Sequence, residues 1–227
     1  QDEYISAIIP VKEFNDEEFL FFATRSGVVK RTTLSAIGHI RTNGLIALSL
    51  REDDELIGVR KTSGNDDIII ASSGGKAVWF EETEVRPMGR TAAGVRGIFL
   101  EEGEVAVGME MVTMNQEILV VTENGFGKRT SIQEYRKTKR GGKGVKTINV
   151  TERNGQIVAI RAVEGNEDLL IITDDGIVIR LPMEQVKTAG RATQGVRLIK
   201  VHDSKVSSVE VVAKNEEDDE EGEEESE

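Results

Sequence analysis

The sequence predicts an all-β protein, a propeller-like array of four-stranded units, and three observations carry that prediction. A period of about fifty residues runs along the chain, each period holds short apolar segments separated by glycine-containing or acidic turns, and no long window shows helical periodicity. Two series of glycines mark the period. Turn glycines fall at Gly27, Gly75, Gly125 and Gly176, spaced 48, 50 and 51 residues apart, and loop glycines at Gly44, Gly94, Gly144 and Gly195, spaced 50, 50 and 51.

The first strand of each unit, such as Glu117–Thr122 or Asp168–Thr173, is a continuous apolar run, as a strand covered on both faces requires. The second follows the turn glycine (VVKRTTL, KAVWFEE, FGKRTSI, IVIRLPM), and the third follows the loop glycine (LIALSL, VRGIFL, VKTINV, VRLIKV). The fourth reads ELIGVRKT, EVAVGMEM, QIVAIRAV or KVSSVEVV, and REDDE, EEGE and ERNG supply the turns before it in the first three units. The repeats therefore fall at about 17–62, 66–113, 116–163 and 167–213. DEYISAIIPV (2–11) matches the fourth-strand segment DDELIGVRKT (53–62) without the three strands that should precede it. An orphan strand is predicted there, with residues 1–213 forming a partial array.

Composition narrows the function. With 38% hydrophobic and 31% charged residues the chain suits a soluble globular protein. No segment approaches the roughly 18 apolar residues of a spanning helix, and there is no cysteine, so a cytoplasmic home without a membrane partner is expected. The absence of cysteine excludes thiolate chemistry and disulfides, and the only histidines, His39 and His202, are far apart for a metal site or a triad. GGKG is not a P-loop, because no glycine lies five residues before Gly142 and neither Ser nor Thr follows Lys143. Tyr4 and Tyr135 have no catalytic surroundings, Asp174 and Asp175 read as turn residues, and Trp79 reads as packing. Neither a catalytic centre nor a cofactor is expected in this chain.

Charge is unevenly placed. The whole chain carries −12, of which KNEEDDEEGEEESE (214–227) supplies −9. That segment is predicted to be a disordered acidic tail, either simply solvating the chain or competing with polyanions for the nearby cations Arg191, Arg197 and Lys200. Residues 128–146 hold eight Lys or Arg against the single acid Glu134. Three loops share one pattern, with a cation four residues before the loop glycine and another two after it: Arg90 and Arg96, Arg140 and Lys146, Arg191 and Arg197. The first unit is the weak copy, offering Arg41 and, at the second position, Ile46. In the other three units the strand cation shares a face with Ile98, Ile148 or Ile199, so it should sit at a blade rim where apolar packing gives way to water. Stacked units would align these rims into a positive stripe suited to a phosphate backbone. The third loop, KTKRGGKGVK, is the richest, and the expected DNA-binding set there is Lys137, Lys139, Arg140, Gly141, Gly142, Lys143, Gly144 and Lys146. A propeller-like scaffold whose rim meets acidic proteins is the competing reading.

The phrases NGLIALSLREDDELIGV, VRPMGRTAAGVRGI, TENGFGKRT, TERNGQIVA and GRATQGVRLI together resemble the C-terminal DNA-wrapping domains of bacterial DNA gyrase A subunits. The related A-type subunit of topoisomerase IV is the alternative. The resemblance implies a β-pinwheel that bends and wraps duplex DNA on a basic rim without reading its sequence, in support of negative supercoiling by a type IIA topoisomerase. It further implies partners in the other domains of the same polypeptide and in a B subunit within a heterotetramer, nucleoid association, and ATP and Mg held elsewhere in the parent enzyme. The family's box reads Gln-Arg-Arg-Gly-Gly-Lys-Gly, and residues 138–144 (Thr-Lys-Arg-Gly-Gly-Lys-Gly) match five of its seven positions. In the family the box belongs to the first blade, so a copy in the third repeat is expected to be secondary, with the principal one upstream of Gln1.

Overall fold

Apolar runs flanked by turn glycines become strands because each glycine reverses the chain at positive φ and sends the next strand back along the last. The computed structural model describes residues 4–214, so the predicted tail, apart from Lys214, lies outside the described residues. Fifteen strands are present among them: β1 (Phe19–Thr24), β2 (Val28–Thr33), β3 (Leu56–Thr62), β4 (Asp67–Ser72), β5 (Lys76–Glu81), β6 (Val95–Arg96), β7 (Ala106–Val112), β8 (Glu117–Thr122), β9 (Phe126–Ser131), β10 (Val145–Lys146), β11 (Ile157–Val163), β12 (Glu167–Thr173), β13 (Val178–Pro182), β14 (Val196–Arg197) and β15 (Val206–Ala213).

They form four antiparallel blades in the orders β3-β1-β2-β6, β7-β4-β5-β10, β11-β8-β9-β14 and β15-β12-β13. The strands β3, β7, β11 and β15 pack side by side along the inner edge. The core lies between blades. On β4, Ile68 and Ile70 face the first blade, against Phe21 and Ile98, while Ile69 faces the third, against Ile118 and Val120. Alternation thus buries both faces, at about 2 kcal/mol for each fully buried Ile, and the strand reads as one apolar run.

The third strands depart from expectation. Six residues each were expected, paired within their own unit; two are strand, and they pair with the preceding unit. Val95 lies opposite Val29, Val145 opposite Ala77, and Val196 opposite Gly127. The ladder stops after two residues because the chain wraps around the neighbour's turn glycine. Gly97 and Ile98 N–H both donate to the Gly27 carbonyl (2.8 and 3.3 Å), Thr147 and Ile148 to Gly75 (2.8 and 3.4 Å), and Leu198 and Ile199 to Gly125 (2.8 and 3.2 Å). Each blade is therefore completed by the next repeat, and the fourth has three strands among the described residues.

Two further expectations fail for a related reason. LIALSL (45–50) forms no strand, because among the described residues no preceding edge is there to receive it. Residues 4–11 are irregular and mostly exposed where a strand was predicted: Ile9 and Val11 pack against the first blade, but no strand among the described residues pairs with the segment, so its backbone groups stay with water.

Candidate nucleic-acid interface

Between the second strand of a repeat and its two-residue strand, the chain makes a finger that clasps the preceding blade with both legs. The outgoing leg runs parallel to the blade edge, with Pro87 beside Arg31, Lys137 beside Trp79 and Thr188 beside Arg129. The returning leg is antiparallel, through β6, β10 and β14. All the loop cations sit on these fingers except Arg41, whose loop has no preceding blade to clasp among the described residues.

Within the fingers one contact recurs. Arg140 Nη1 donates to the Arg96 carbonyl at 3.0 Å, Arg191 Nη1 to the Lys146 carbonyl at 3.0 Å, and Arg90 Nη1 to the Ile46 carbonyl at 3.5 Å. The acceptor is always the strand position two residues after the loop glycine of the previous repeat. Loop cation and strand cation of successive repeats are thereby joined into one row. Glu84 and Glu134 hold the loops from beneath, accepting from the Arg140 and Arg191 backbone N–H at 3.3 and 3.1 Å. Along the row Arg96, Lys146 and Arg197 are exposed, while Ile98, Ile148 and Ile199 beside them are buried.

The third finger carries the box. Gly144 has φ 71°, and a Cβ there would lie 2.2 Å from the Ala77 carbonyl oxygen, so only glycine lets this leg reach the β5 edge. Gly141 N–H donates to the Gly97 carbonyl at 2.6 Å, and the Gly142 carbonyl accepts from Phe99 at 2.9 Å, which docks the box on the previous finger. Lys139 and Lys143 are left exposed, and the Lys143 ammonium lies 5.2 Å from the Phe99 ring centroid. Arg96 approaches the same ring, at 5.9 Å.

Not every cation in the basic stretch is left unpaired at the surface. Lys137 bridges Asp67 and Glu81 at 2.7 and 2.8 Å, and although burial opposes its charge, these carboxylates raise its pKa. Arg129 pairs with Glu117 at 2.7 Å. Lys128 is fully buried. The local charge count of residues 128–146 therefore overstates the exposed positive surface.

Lys128 and Lys30 are functional candidates that the sequence reading missed. The Lys128 ammonium donates to the carbonyls of Gly190 and, at 2.8 Å, Arg191; that of Lys30 donates to the carbonyls of Arg90 and, at 2.8 Å, Ala47. Each anchors the base of a cationic finger from the blade it clasps. Burial pushes both amines down to about 8; Glu134 opposes the shift at Lys128, while Arg191 beside Lys128 and Arg90 beside Lys30 act in the same direction as burial. The available signal was the shared Lys-Arg-Thr at 30–32 and 128–130, two repeats apart. Trp79 is 6% exposed inside a core cluster, and burial pushes the Tyr135 hydroxyl up to about 12. No group of three His, Cys, Asp or Glu side chains among the described residues is placed to hold a metal.

The family model described as DNA gyrase C-terminal domain, beta-propeller, matches residues 18–63, 66–113, 116–164 and 167–213. The DNA gyrase A subunit of Staphylococcus aureus (strain MRSA252) is 53% identical over 228 residues, covering 99% of this chain and 26% of that protein. That of Staphylococcus epidermidis (strain ATCC 12228 / FDA PCI 1200) is 52% identical over 222 residues, covering 96% of this chain and 25% of that protein. The chain thus spans about a quarter of the length of these curated relatives. Among solved structures, the C-terminal domain of DNA topoisomerase IV superposes with a TM-score of 0.89 at 27% identity, covering 94% of this chain and 67% of that one. A DNA gyrase A C-terminal domain superposes at 0.79 with 25% identity, covering 89% and 68%.

Proposed function

The chain belongs to the DNA gyrase C-terminal domain family, and on that premise we propose that it binds and bends duplex DNA along the row of finger cations. The repeated arginine-to-carbonyl contact carries this reading, because it turns three separate loops into one track of charge at the spacing of the blades. A phosphate backbone presents a charge every ~3.4 Å per strand and is matched by a continuous track, whereas an isolated loop could meet only one or two phosphates. The exposed groups are Lys, Arg and backbone donors on short loops. Nothing in them forms a base-reading helix, so affinity should be insensitive to sequence.

The role that follows is to hold and wrap DNA for a type IIA topoisomerase whose cleavage and ATP chemistry lie in other domains and in a B subunit, in the bacterial cytoplasm at the nucleoid. The near-complete box in the third finger and the sequence relatives favour a gyrase. The likeness to the topoisomerase IV domain supports the same DNA-holding role in a related enzyme as a second reading.

The test is a salt series with one duplex. About seven phosphates neutralised across the fingers would give a slope of log affinity against log salt of roughly −6. A slope near zero would remove the DNA reading in favour of a protein scaffold.

A further inference from the structure

The junction between the third and fourth repeats holds an open cavity of about 370 Å³ that the finger row does not account for. It lies at the turn end of the third blade. Asn124 and Phe126 of that blade line it, with Arg153 in the turn before β11 and with Arg197, Lys200 and His202 of the fourth repeat. Three of these side chains are exposed cations, and among the described residues no carboxylate pairs with Arg153, Arg197 or Lys200. Arg153 and Arg197 share one aromatic support: their guanidinium carbons lie 5.2 and 5.3 Å from the ring centroid of Phe126, which is only 4% exposed. Lys205, also on the wall, is engaged by Glu123, and Asp203 is the one acid that lines the cavity.

The wall is fixed from both repeats. Asn154 is fully buried, and its Nδ2 donates to the carbonyls of Asn149 at 2.9 Å and Gln194 at 3.1 Å, while its Oδ1 accepts from the Thr151 N–H at 2.7 Å. Asn124 Nδ2 donates to the carbonyls of Glu152 and Arg153, both at 3.3 Å. The turn that carries Arg153 is thereby tied to its own blade and to the fourth finger, which sets Arg153 beside Arg197 and Lys200 before any ligand arrives.

The same places at the other two junctions carry different chemistry. At the second, Asn149 stands where Lys200 does and accepts from the Lys146 ammonium at 3.2 Å, and Lys76, in the place of Phe126, pairs with Glu101 at 2.6 Å. At the first, Phe99 takes the Lys200 place, with Arg51 and Arg96 on the wall. Of these three junctions the third alone has a cation at the turn, at the strand and at the position three residues beyond it.

We propose that this cavity seats a phosphate of the DNA backbone beside the finger row, with Arg153 and Lys200 as contacts outside the fingers. Arg197 belongs to both the row and the cavity, so a phosphate held here adjoins the track. Two guanidiniums and an ammonium offer a phosphodiester several charge-assisted hydrogen bonds, and packing on Phe126 restricts both guanidiniums. Like charges brought together in this way repel, and a phosphate between them turns the repulsion into attraction. The inference rests on the DNA reading and deepens it. A free polyphosphate presents the same chemical group, and the test separates the two sources.

The full chain is compared by fluorescence anisotropy with one duplex across a salt series as the parent, as Arg153→Ala/Lys200→Ala and as the charge-matched control Lys12→Ala/Lys61→Ala, with folding checked by circular dichroism. The cavity variant should lower the magnitude of the salt slope by about 2, one phosphate contact per cation, and the control by much less. Because the chain has no cysteine, one introduced thiol reports the cavity directly. Bound duplex should slow alkylation of His202→Cys by iodoacetamide severalfold and leave Met114→Cys, in the exposed turn between β7 and β8, unchanged. Inorganic pyrophosphate, titrated by calorimetry at constant ionic strength, serves as the free source. A steep parent slope that the cavity variant leaves unchanged overturns the proposal while the DNA reading stands, as do equal losses in the control or a His202→Cys thiol that duplex leaves unprotected. Pyrophosphate binding abolished in the cavity variant, with its DNA slope unchanged, would assign the cavity to a free phosphate instead. A parent slope near zero removes the DNA reading and this inference with it.

Discussion

Arg140 and Arg96 are 44 residues apart in sequence, yet the guanidinium of one donates to the backbone carbonyl of the other at 3.0 Å. A cation is thereby fixed upon the segment that carries the preceding cation, and like charges are held in a row by hydrogen bonds to neutral carbonyls and by the carboxylate of Glu84. The pattern of the row separates cations left exposed at the surface from cations engaged in holding the fold.

Within the box, Lys139→Ala and Lys143→Ala should each lower the magnitude of the salt slope by about 1, one phosphate contact apiece. Lys137→Ala should lower it by much less, because its ammonium is engaged by Asp67 and Glu81. Fluorescence anisotropy with one duplex across a salt series distinguishes the three variants, and equal losses would mean that diffuse charge does the binding.

Arg140→Lys keeps the charge but cannot reproduce the Nε bond to the Glu84 carbonyl at 2.9 Å together with the Nη1 bond to Arg96. Affinity should fall about tenfold, roughly 1.4 kcal/mol, with the salt slope unchanged. A smaller slope with full affinity at low salt would contradict this positioning role.

Glycine requirements differ within four residues. Gly144→Ala should destabilise the domain by about 2 kcal/mol or more, from positive φ and from collision with the Ala77 carbonyl. Gly142→Ala, whose Cβ would meet nothing closer than 3.5 Å, should stay within about 0.5 kcal/mol of the parent. Urea denaturation of the two variants measures the difference.

Lys128 makes stability depend on alkaline pH. Its folded pKa is about 8 against an ordinary 10.5, so between these values the unfolded chain holds a proton that the folded chain has released. Stability contributed by this group therefore rises with pH through that window and is level below it. Lys30 behaves alike. Urea midpoints at about pH 7 and about pH 10 should show a larger rise for the parent than for Lys128→Met. The variant should also bind DNA more weakly, since the carbonyls of Gly190 and Arg191 lose their shared donor.

That the chain is all-β and built of four-stranded antiparallel units was legible in the order of amino acids, because strand periodicity and turn glycines are local properties repeated in register. The strand alternation expected to carry Arg96, Lys146 and Arg197 onto one face with Ile98, Ile148 and Ile199 ends at the cation, and it is the wrap around the neighbour's turn glycine that leaves the cation exposed and the Ile buried. Which blade each loop completes was not legible either. VRGIFL reads equally well as a strand of its own unit, and what places Val95 and Arg96 on the previous blade is the free backbone edge beyond β2 together with the bare turn at Gly27. The same holds for charge. Lys137 and Lys139 are two residues apart and indistinguishable by composition, but the outgoing leg passes over Asp67 and Glu81 and leaves only Lys139 exposed to solvent without such partners. Lys128 looked like part of a basic surface, and burial beneath a finger from 62 residues further along made it an anchor. Local pattern limits what a segment can become; the partner that satisfies its backbone and its charge is chosen by contacts between repeats, and these exist only once the blades have stacked.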